Sequence, residues 1–431
     1  MFHFWLILFI LFAPHVFGFE QELTIHVPVA THYKIPFVMG NVESFCKVKK
    51  AFFEKILAED LRLSEHFTIH KTDAKNNTAV QKNALILSAN IEENKVTITI
   101  INNKSTNPNK EKIVLSTQFT YFDRRTIHLI ADDIVQHICH TPGIASSRII
   151  YSFFPKKPTP GLSPLGDIRL IDSDGAEPSI VSSQQVMNIC PSFVPSETGS
   201  RSSYFLYVSY QTGTAKIFLK NINDERSQKL ICLRGNQLMP TVSQQCNKIA
   251  FISDVNGNPD LFLQDFSTKE GPIGPPRQLL TSKNGTQGSP TFDPTGNKIA
   301  FVSNRDGTPR IYIVECNPLP GTIPQLISKK NRENTAPTWS PDGSKIAYSS
   351  LSKGVRQIWI YDVKTGKEKE LTHSPGDKEN PSWAPDNAHL VFSMNQNGCS
   401  NLYITGLINE NLVKITHGPG EKLFPSWEPI L

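Results

Sequence analysis

One short phrase returns six times in this chain and restricts most of what it can become. It reads Pro-Ser-Phe at Pro191, Pro-Thr-Val at Pro240, Pro-Thr-Phe at Pro290, Pro-Thr-Trp at Pro337, and Pro-Ser-Trp at both Pro381 and Pro425. The steps between these prolines are 49, 50, 47, 44 and 44 residues. A period in this range marks a β-propeller, in which each repeat is one four-stranded blade. A lone blade cannot bury both of its faces, so the repeats must stack around an axis. The result is first a scaffold with a binding face.

The clearest copy can be read strand by strand. Pro337–Pro341 is a short inner strand, Asp342-Gly343 a turn, and Lys345–Ser350 alternates as a half-buried strand should. Ser352–Gly354 turns again, Gln357–Val363 is the third strand, Thr365-Gly366 a tight turn, and Glu368–Thr372 the outer strand. Lys298–Ser303 and Lys248–Ser253 match Lys345–Ser350 almost letter for letter. The last copy, Phe424–Pro429, supplies only one strand. The missing three are available at Arg148–Phe153, Asp167–Asp172 and Pro178–Ser182. The ring is therefore expected to close by pairing the two ends, giving five continuous blades and one shared blade. Closure removes the sheet edges that would otherwise invite aggregation.

Residues 33–145 have another rhythm. Lys34–Met39, His66–His70, Ala84–Ile91, Lys95–Ile101 and Glu111–Tyr121 read as strands. Ser44–Leu61 reads as a helix with Phe45, Val48, Phe52 and Ile56 on one face, and Arg125–His140 as a second with Ile127, Ile130, Ile134 and Ile138 in line. This order predicts a small α/β domain over 33–145, a break at Thr141-Pro142-Gly143, and an all-β six-bladed propeller over 146–431. Asn102–Lys112 is expected to be a polar, mobile hairpin loop.

Met1 to Phe12 is nearly all apolar, a run too short to span a bilayer as a helix; with the short break Ala13 to Gly18 it fits an export signal cut before Phe19. Residues 19–32 are then a flexible segment. No second stretch reaches 18 apolar residues, so a soluble mature chain is expected. A formal charge of +5, with no long basic run, argues against a nucleic-acid partner. Seven cysteines lack any Cys-x-x-Cys pair and their number is odd. Most are expected to be isolated buried thiols, with Cys232 and Cys246 the pair to test for a bridge.

The sequence leads to the expectation of no enzyme, no cofactor and no metal. There is no Gly-x-Ser-x-Gly elbow, no His-Glu-x-x-His helix, no phosphate-cradling Gly-x-x-x-x-Gly-Lys loop and no dinucleotide fingerprint. His137 and His140 beside Cys139 could hold a metal, but a histidine pair at a helix C-terminus is favoured by the dipole alone. Asp132-Asp133 is expected to be solvated. Asp306, Asp342 and Asp386 are expected to hydrogen-bond turn backbone, and Trp339, Trp383 and Trp427 to pack between blades rather than stack on a ligand. A secreted propeller hydrolase or lyase, with its active site in the central channel, stands as the alternative.

What remains is surface. In a propeller, the loops from each outer strand to the next inner strand gather around the central opening. Here these are Arg234–Met239, Lys283–Ser289, Lys329–Ala336, Ser374–Asn380 and Gly418–Phe424, all polar and most of them glycine-bearing. A concave rim of fixed loops suits the grasp of another protein.

The arrangement resembles the TolB family. The residues that carry the resemblance are the export signal, the α/β domain, the six repeats, the junction Thr141–Tyr151 and the ending Phe424–Pro429. The resemblance covers nearly the whole chain. It implies a periplasmic, non-enzymatic adaptor of the Tol-Pal envelope system, supporting outer-membrane integrity and constriction at division. It would be a monomer that meets membranes only through its partners. The lipoprotein Pal would sit on the propeller opening, at Arg234, Asn236, Asn284, Arg332, Glu333, Asn334, Lys378, Glu379, Asn380 and Lys422. TolA would be engaged by the mature N-terminus, where Leu23, Ile25 and Val27 alternate and could add as a strand to a partner sheet.

Overall fold

Alternating apolar residues in the repeats become the ribs of a closed ring. A computed structural model describes residues 34–71, 84–102, 112–155, 165–183, 186–196, 198–199, 201–280 and 285–429. The expected export signal, the 19–32 segment and nearly all of the Asn102–Lys112 loop lie outside these residues.

The smaller part is a five-stranded sheet in the order β2-β1-β3-β4-β5: β1 Ile35–Ser44, β2 Phe67–Lys71, β3 Leu85–Ile91, β4 Val96–Asn102 and β5 Lys112–Phe119. β1 is parallel to both neighbours, while β3, β4 and β5 form an antiparallel meander. Leu85, Leu87, Ala89 and Ile91 alternate inward on β3, and Val96, Ile98 and Ile100 do so on β4. Against them pack α1 (Lys47–Leu63) and α2 (Arg124–Cys139). The α2 helix starts where Asp123 accepts a 2.7 Å bond from the Thr126 amide, an N-cap.

The α1 stripe differs from expectation. Phe53, Ile56, Leu57 and Leu61 face the core, whereas Phe45, Val48 and Phe52 are exposed. The helix begins only at Lys47, so Phe45 precedes it, and the buried face runs through Phe53, Ile56 and Leu57 rather than through Phe52. Asp132 also differs: its carboxylate is not solvated. It accepts bonds from the Ala145 and Ser146 amides at 2.8 and 2.9 Å, and burial raises its pKa. Gly143 passes so close that a Cβ there would lie 2.5 Å from the Asp132 Cα. The passage into the propeller is thus held by α2 itself.

The propeller has six four-stranded antiparallel blades. Five are continuous. The sixth takes Glu421–Trp427 as its inner strand, paired with Arg148–Phe154 and followed by Asp167–Asp172 and Ser179–Ser182. Each inner strand starts about three residues before its proline, as in Asn334–Trp339, not at the proline. A register shift between Thr335 and Thr338 explains why: the strand bulges at Ala336-Pro337, so the missing proline N–H falls where no ladder bond is made. Trp339, Trp383 and Trp427 are buried between blades; Trp383 Nε1 donates to Thr338 O in the preceding blade at 3.1 Å, and Trp427 Nε1 to Ser147 Oγ at 2.7 Å. Burying a side chain of this size is worth about 2–3 kcal/mol. No disulfide joins any of the seven cysteines, and Cys232 and Cys246 are not bridged.

Candidate functional site

The six inner strands enclose an axial channel, and the repeated phrase assigns a task to each of its positions. The hydroxyl residue after each proline lines the channel: Ser192, Thr241, Thr291, Thr338, Ser382 and Ser426. Several of these also join blades, as where the Trp427 amide donates to Ser382 Oγ at 2.9 Å. The aromatic or apolar residue that follows, Phe193, Val242, Phe292, Trp339, Trp383 or Trp427, closes in at one mouth. The residue before each proline, Cys190, Met239, Ser289, Ala336, Asn380 or Phe424, surrounds the other.

Those six residues share an unusual backbone. Each has a positive φ, between 46° and 55°, and none is glycine. The left-handed region disfavours residues with a Cβ, and a following proline disfavours helical conformations further. Six repetitions of the same costly geometry define one mouth of the channel. The cavity near each mouth encloses about 180 Å³. That is room for waters and not for a folded protein.

The rim is held from beneath by a feature the sequence reading missed. Three residues before each proline stands a buried polar side chain: Asn188, Gln237, Gln287, Asn334, Lys378 or Lys422. Most donate to carbonyls of the loop that precedes them. Lys422 Nζ bonds to Gly418, Pro419 and Gly420 carbonyls at 2.6, 3.2 and 3.0 Å. Lys378 Nζ does the same with Ser374, Pro375 and Gly376. Gln237 Nε2 reaches Leu233, Arg234 and Gly235, and Asn334 Nδ2 reaches Asn331. Gln287 instead bonds to Asp260 and to the Leu261 amide. Burial draws the Lys378 pKa down to about 8, and lowers that of Lys422. Both ammonium groups are solvated by loop carbonyls in place of water. Aligning the six copies on their prolines would have exposed the signal, since long polar residues recur at one register position that flanking strand residues would fill with apolar groups.

The expected contact residues therefore separate. Lys378, Lys422 and Asn334 are buried and hold their loops, so the surface they leave to a partner is the loop rather than their own side chains. Arg234 and Arg332 are exposed. Asn236 is pinned by Asp254, which accepts from its amide and its Nδ2 at 2.6 and 2.7 Å. Glu333 and Glu379 lie on neighbouring blades and share Arg356, at 3.6 and 3.3 Å. Asn380 is one of the six left-handed residues at the mouth. Asn284, Leu23, Ile25 and Val27 lie outside the described residues.

The turn aspartates differ among themselves. Asp342 accepts from the Ser344 amide at 2.9 Å and Asp386 from the Ala388 and His389 amides. Asp306 instead accepts from the Tyr312 hydroxyl. His137 and His140 are exposed at the end of α2.

A family model described as the TolB beta propeller domain matches residues 135–320 and 318–430. The chain belongs to that family. Among curated relatives, a TolB homolog of Protochlamydia amoebophila is 44% identical over 198 residues, 46% of this chain and 42% of that protein. One from Chlamydia felis is 45% identical over 273 residues, 63% of each. Such matches span roughly half of the relatives' own length. The crystal structure of TolB from Acinetobacter baumannii superposes with a TM-score of 0.76 at 21% identity, over 92% of this chain and 97% of that one, which establishes a shared fold. In this TolB-family chain the match in fold thus extends well beyond the span of close sequence identity.

Proposed function

We propose that this TolB-family chain is a non-catalytic periplasmic adaptor of the Tol-Pal system. Its propeller rim grips the lipoprotein Pal, and residues 19–31, through Leu23, Ile25 and Val27, engage TolA by strand addition. Acting as a monomer, it reaches the two membranes only through these partners and supports outer-membrane integrity and constriction at division. The observation that carries the reading is the preorganised mouth: six left-handed residues, with five buried polar side chains bonded to the carbonyls of their preceding loops, fix the loops before any partner arrives. Preorganisation lowers the ordering cost that a flexible rim would incur on binding. Among the described residues no helix is long and apolar enough to cross a membrane.

The test uses the purified full mature chain with purified Pal and the C-terminal part of TolA from the same organism. Calorimetry should show Pal binding that weakens in an Arg234→Ala, Arg332→Ala double variant and survives deletion of residues 19–31. The same deletion should abolish TolA binding. Wild-type Pal affinity in the double variant, or TolA binding without residues 19–31, would overturn the assignment of that surface.

A further inference from the structure

Two histidines sit on the seam between the α/β domain and the propeller, one from each side, and their contacts mirror each other. His128, on α2, is 1% exposed, and its Nδ1 lies 2.7 Å from Oδ2 of Asp60, on α1. Its Nε2 faces two propeller carboxylates across the seam, Asp174 Oδ2 at 3.9 Å and Asp172 Oδ2 at 4.0 Å. His389, in the propeller strand His389–Gln396, is buried too, and its Nδ1 lies 2.5 Å from Asp386 of its own blade. Its Nε2 faces back across the seam to Glu65, just past the end of α1, at 3.9 Å. Glu65 reaches so far onto the propeller that a Cβ on Gly406 would lie 2.3 Å from its Oε2. We propose that the two histidines form a reciprocal, proton-operated latch, which holds the α/β domain against the propeller while both imidazoles are charged and loosens when they lose their protons.

The chemistry of the two rings is the same. A carboxylate of the histidine's own domain accepts from Nδ1–H and sets which nitrogen carries the proton. In the neutral ring that bond leaves a lone pair on Nε2, aimed at carboxylates of the other domain. Acceptor then faces acceptor across the seam. One more proton on each ring turns both contacts into attractions between opposite charges. The apolar cores do little to bridge the seam. Phe53, Ile56, Ile98 and Ile130 belong to one cluster, and Val391, Leu402, Ile404 and Trp427 to another, with Leu63 packed against the second. The polar contacts therefore carry much of the hold between the domains. Those of Asp132 with the Ala145 and Ser146 amides, and of Arg124 with Asp174, do not depend on a histidine, so release loosens the seam on an intact tether.

The neighbouring charges leave the change near neutral pH to these two rings. Around His128 stand Asp60, Asp172, Asp174 and Asp132, with the permanently charged Arg124 on Asp174. Burial raises the pKa of Asp60 to about 6, and raises those of Asp172 and Asp132. Around His389 stand Asp386, Glu65 and the Leu63 carbonyl, with His66, Lys34 and Arg62 as the nearby bases. Burial lowers the His66 pKa, so that ring is neutral where His389 is charged. Burial opposes charge on both latch histidines as well, but the carboxylates outweigh it and raise each above 6.5. A raised base contributes fully below about pH 6.5 and fades as pH climbs through its folded value. The latch is therefore closed near pH 6.5 and opens on the alkaline side.

The test is hydrogen exchange of the full chain, read by mass spectrometry at pH 6.5 and pH 8.5, with rates corrected for the intrinsic pH dependence of amide exchange. Peptides covering 60–66, 124–132 and 386–392 report the seam, and 248–265, on the far side of the ring, reports the propeller itself. Protection at the seam should fall between the two pH values, by up to about tenfold per pH unit for each proton lost, while 248–265 keeps its protection. A His128→Gln, His389→Gln double variant should exchange fast at the seam at both pH values. Glu65→Gln, a milder change at a partly exposed residue, removes the carboxylate facing His389 and keeps both rings. It should flatten the fall in 60–66 and 386–392 and leave that in 124–132. Equal seam protection at both pH values in the wild-type chain would overturn the latch, as would a fall that survives in Glu65→Gln. A fall shared by 248–265 would overturn it too, marking a loss of stability throughout the chain.

Discussion

Arg148 and Glu428 tie the first strand of the ring to its last. The guanidinium meets the carboxylate at two points, Nη2 to Oε1 at 2.6 Å and Nε to Oε2 at 2.9 Å, and the Arg148 amide adds a bond to Oε2 at 3.1 Å. The Glu428 amide returns one to Arg148 O at 2.9 Å, and the Ser202 amide, in the next blade, donates to Oε1 at 2.8 Å. The carboxylate is fully buried. Removing one partner of a buried pair strands the other charge, at a cost of about 3–5 kcal/mol. Glu428→Ala should therefore lower the urea midpoint strongly, and removal of 423–431 should open the ring and destroy the cooperative transition. An unchanged midpoint in either variant would contradict closure by these two residues.

The buried lysines beneath the rim make a second prediction. Lys378→Met keeps the aliphatic stem but removes its bonds to the carbonyls of Ser374, Pro375 and Gly376, of which Ser374 keeps a second donor in Gln357 Nε2. Each buried acceptor left unsatisfied costs about 1–3 kcal/mol, less where water can enter. The variant should lose about 2–3 kcal/mol of stability, and hydrogen exchange in 374–377 should quicken. Pal affinity should fall with it even though the lysine itself touches no partner. A stable variant with normal exchange in that loop would remove Lys378 from its supporting role.

The ring was legible because the repeat is long, periodic and marked by prolines. The closure by Phe424–Pro429 followed from counting strands. The α1 stripe was misread because Phe45, Val48, Phe52 and Ile56 satisfy the spacing of an apolar face, while tertiary contact chooses Phe53, Ile56, Leu57 and Leu61. Spacing alone does not say where a helix ends or which side the sheet covers. Lys378 and Lys422 were read as surface because isolated lysines nearly always are. Only the loop wrapped around each ammonium makes burial tolerable, and a loop's path is not written in local spacing. Asp132 was misread for the same reason, its two amide donors lying 13 and 14 residues away.

The seam predicts a bell-shaped dependence of stability on pH. Burial opposes charge on His389, but the adjacent Asp386 and then Glu65 outweigh it and raise the pKa above 6.5. Asp386 is held below 3.8, because His389 and the Ala388 and His389 amides outweigh its own burial. A base with a raised folded value contributes fully below about pH 6.5, and its contribution fades as pH climbs through the folded value. The lowered carboxyl contributes above about pH 4 and fades as pH falls through its folded value. The urea midpoint should be higher at pH 5–6 than at pH 8 or pH 3. His389→Gln should shrink the alkaline loss without abolishing it, since His128 is also raised and fades in the same direction. An alkaline limb identical in the variant would detach His389 from the effect.

The repeated left-handed residue before each proline gives the last prediction. Ala336 has φ of 49°, is half-buried and has no side-chain functional group to lose. Holding a residue with a Cβ in that region costs of order 1 kcal/mol, which glycine avoids. Glycine also gains freedom in the unfolded chain, which offsets part of the relief. Ala336→Gly should therefore leave Tm unchanged or raise it slightly. Ala336→Val places a branched side chain where φ is least tolerant and should cost about 2–3 kcal/mol. Because Ala336 surrounds the mouth beside Pro337, the valine variant should also disturb the rim, read as weaker Pal binding at temperatures well below its melting point. If valine were as stable as glycine at this position, the bulge would be relaxed rather than strained, and the mouth would owe its shape to the buried polar side chains alone.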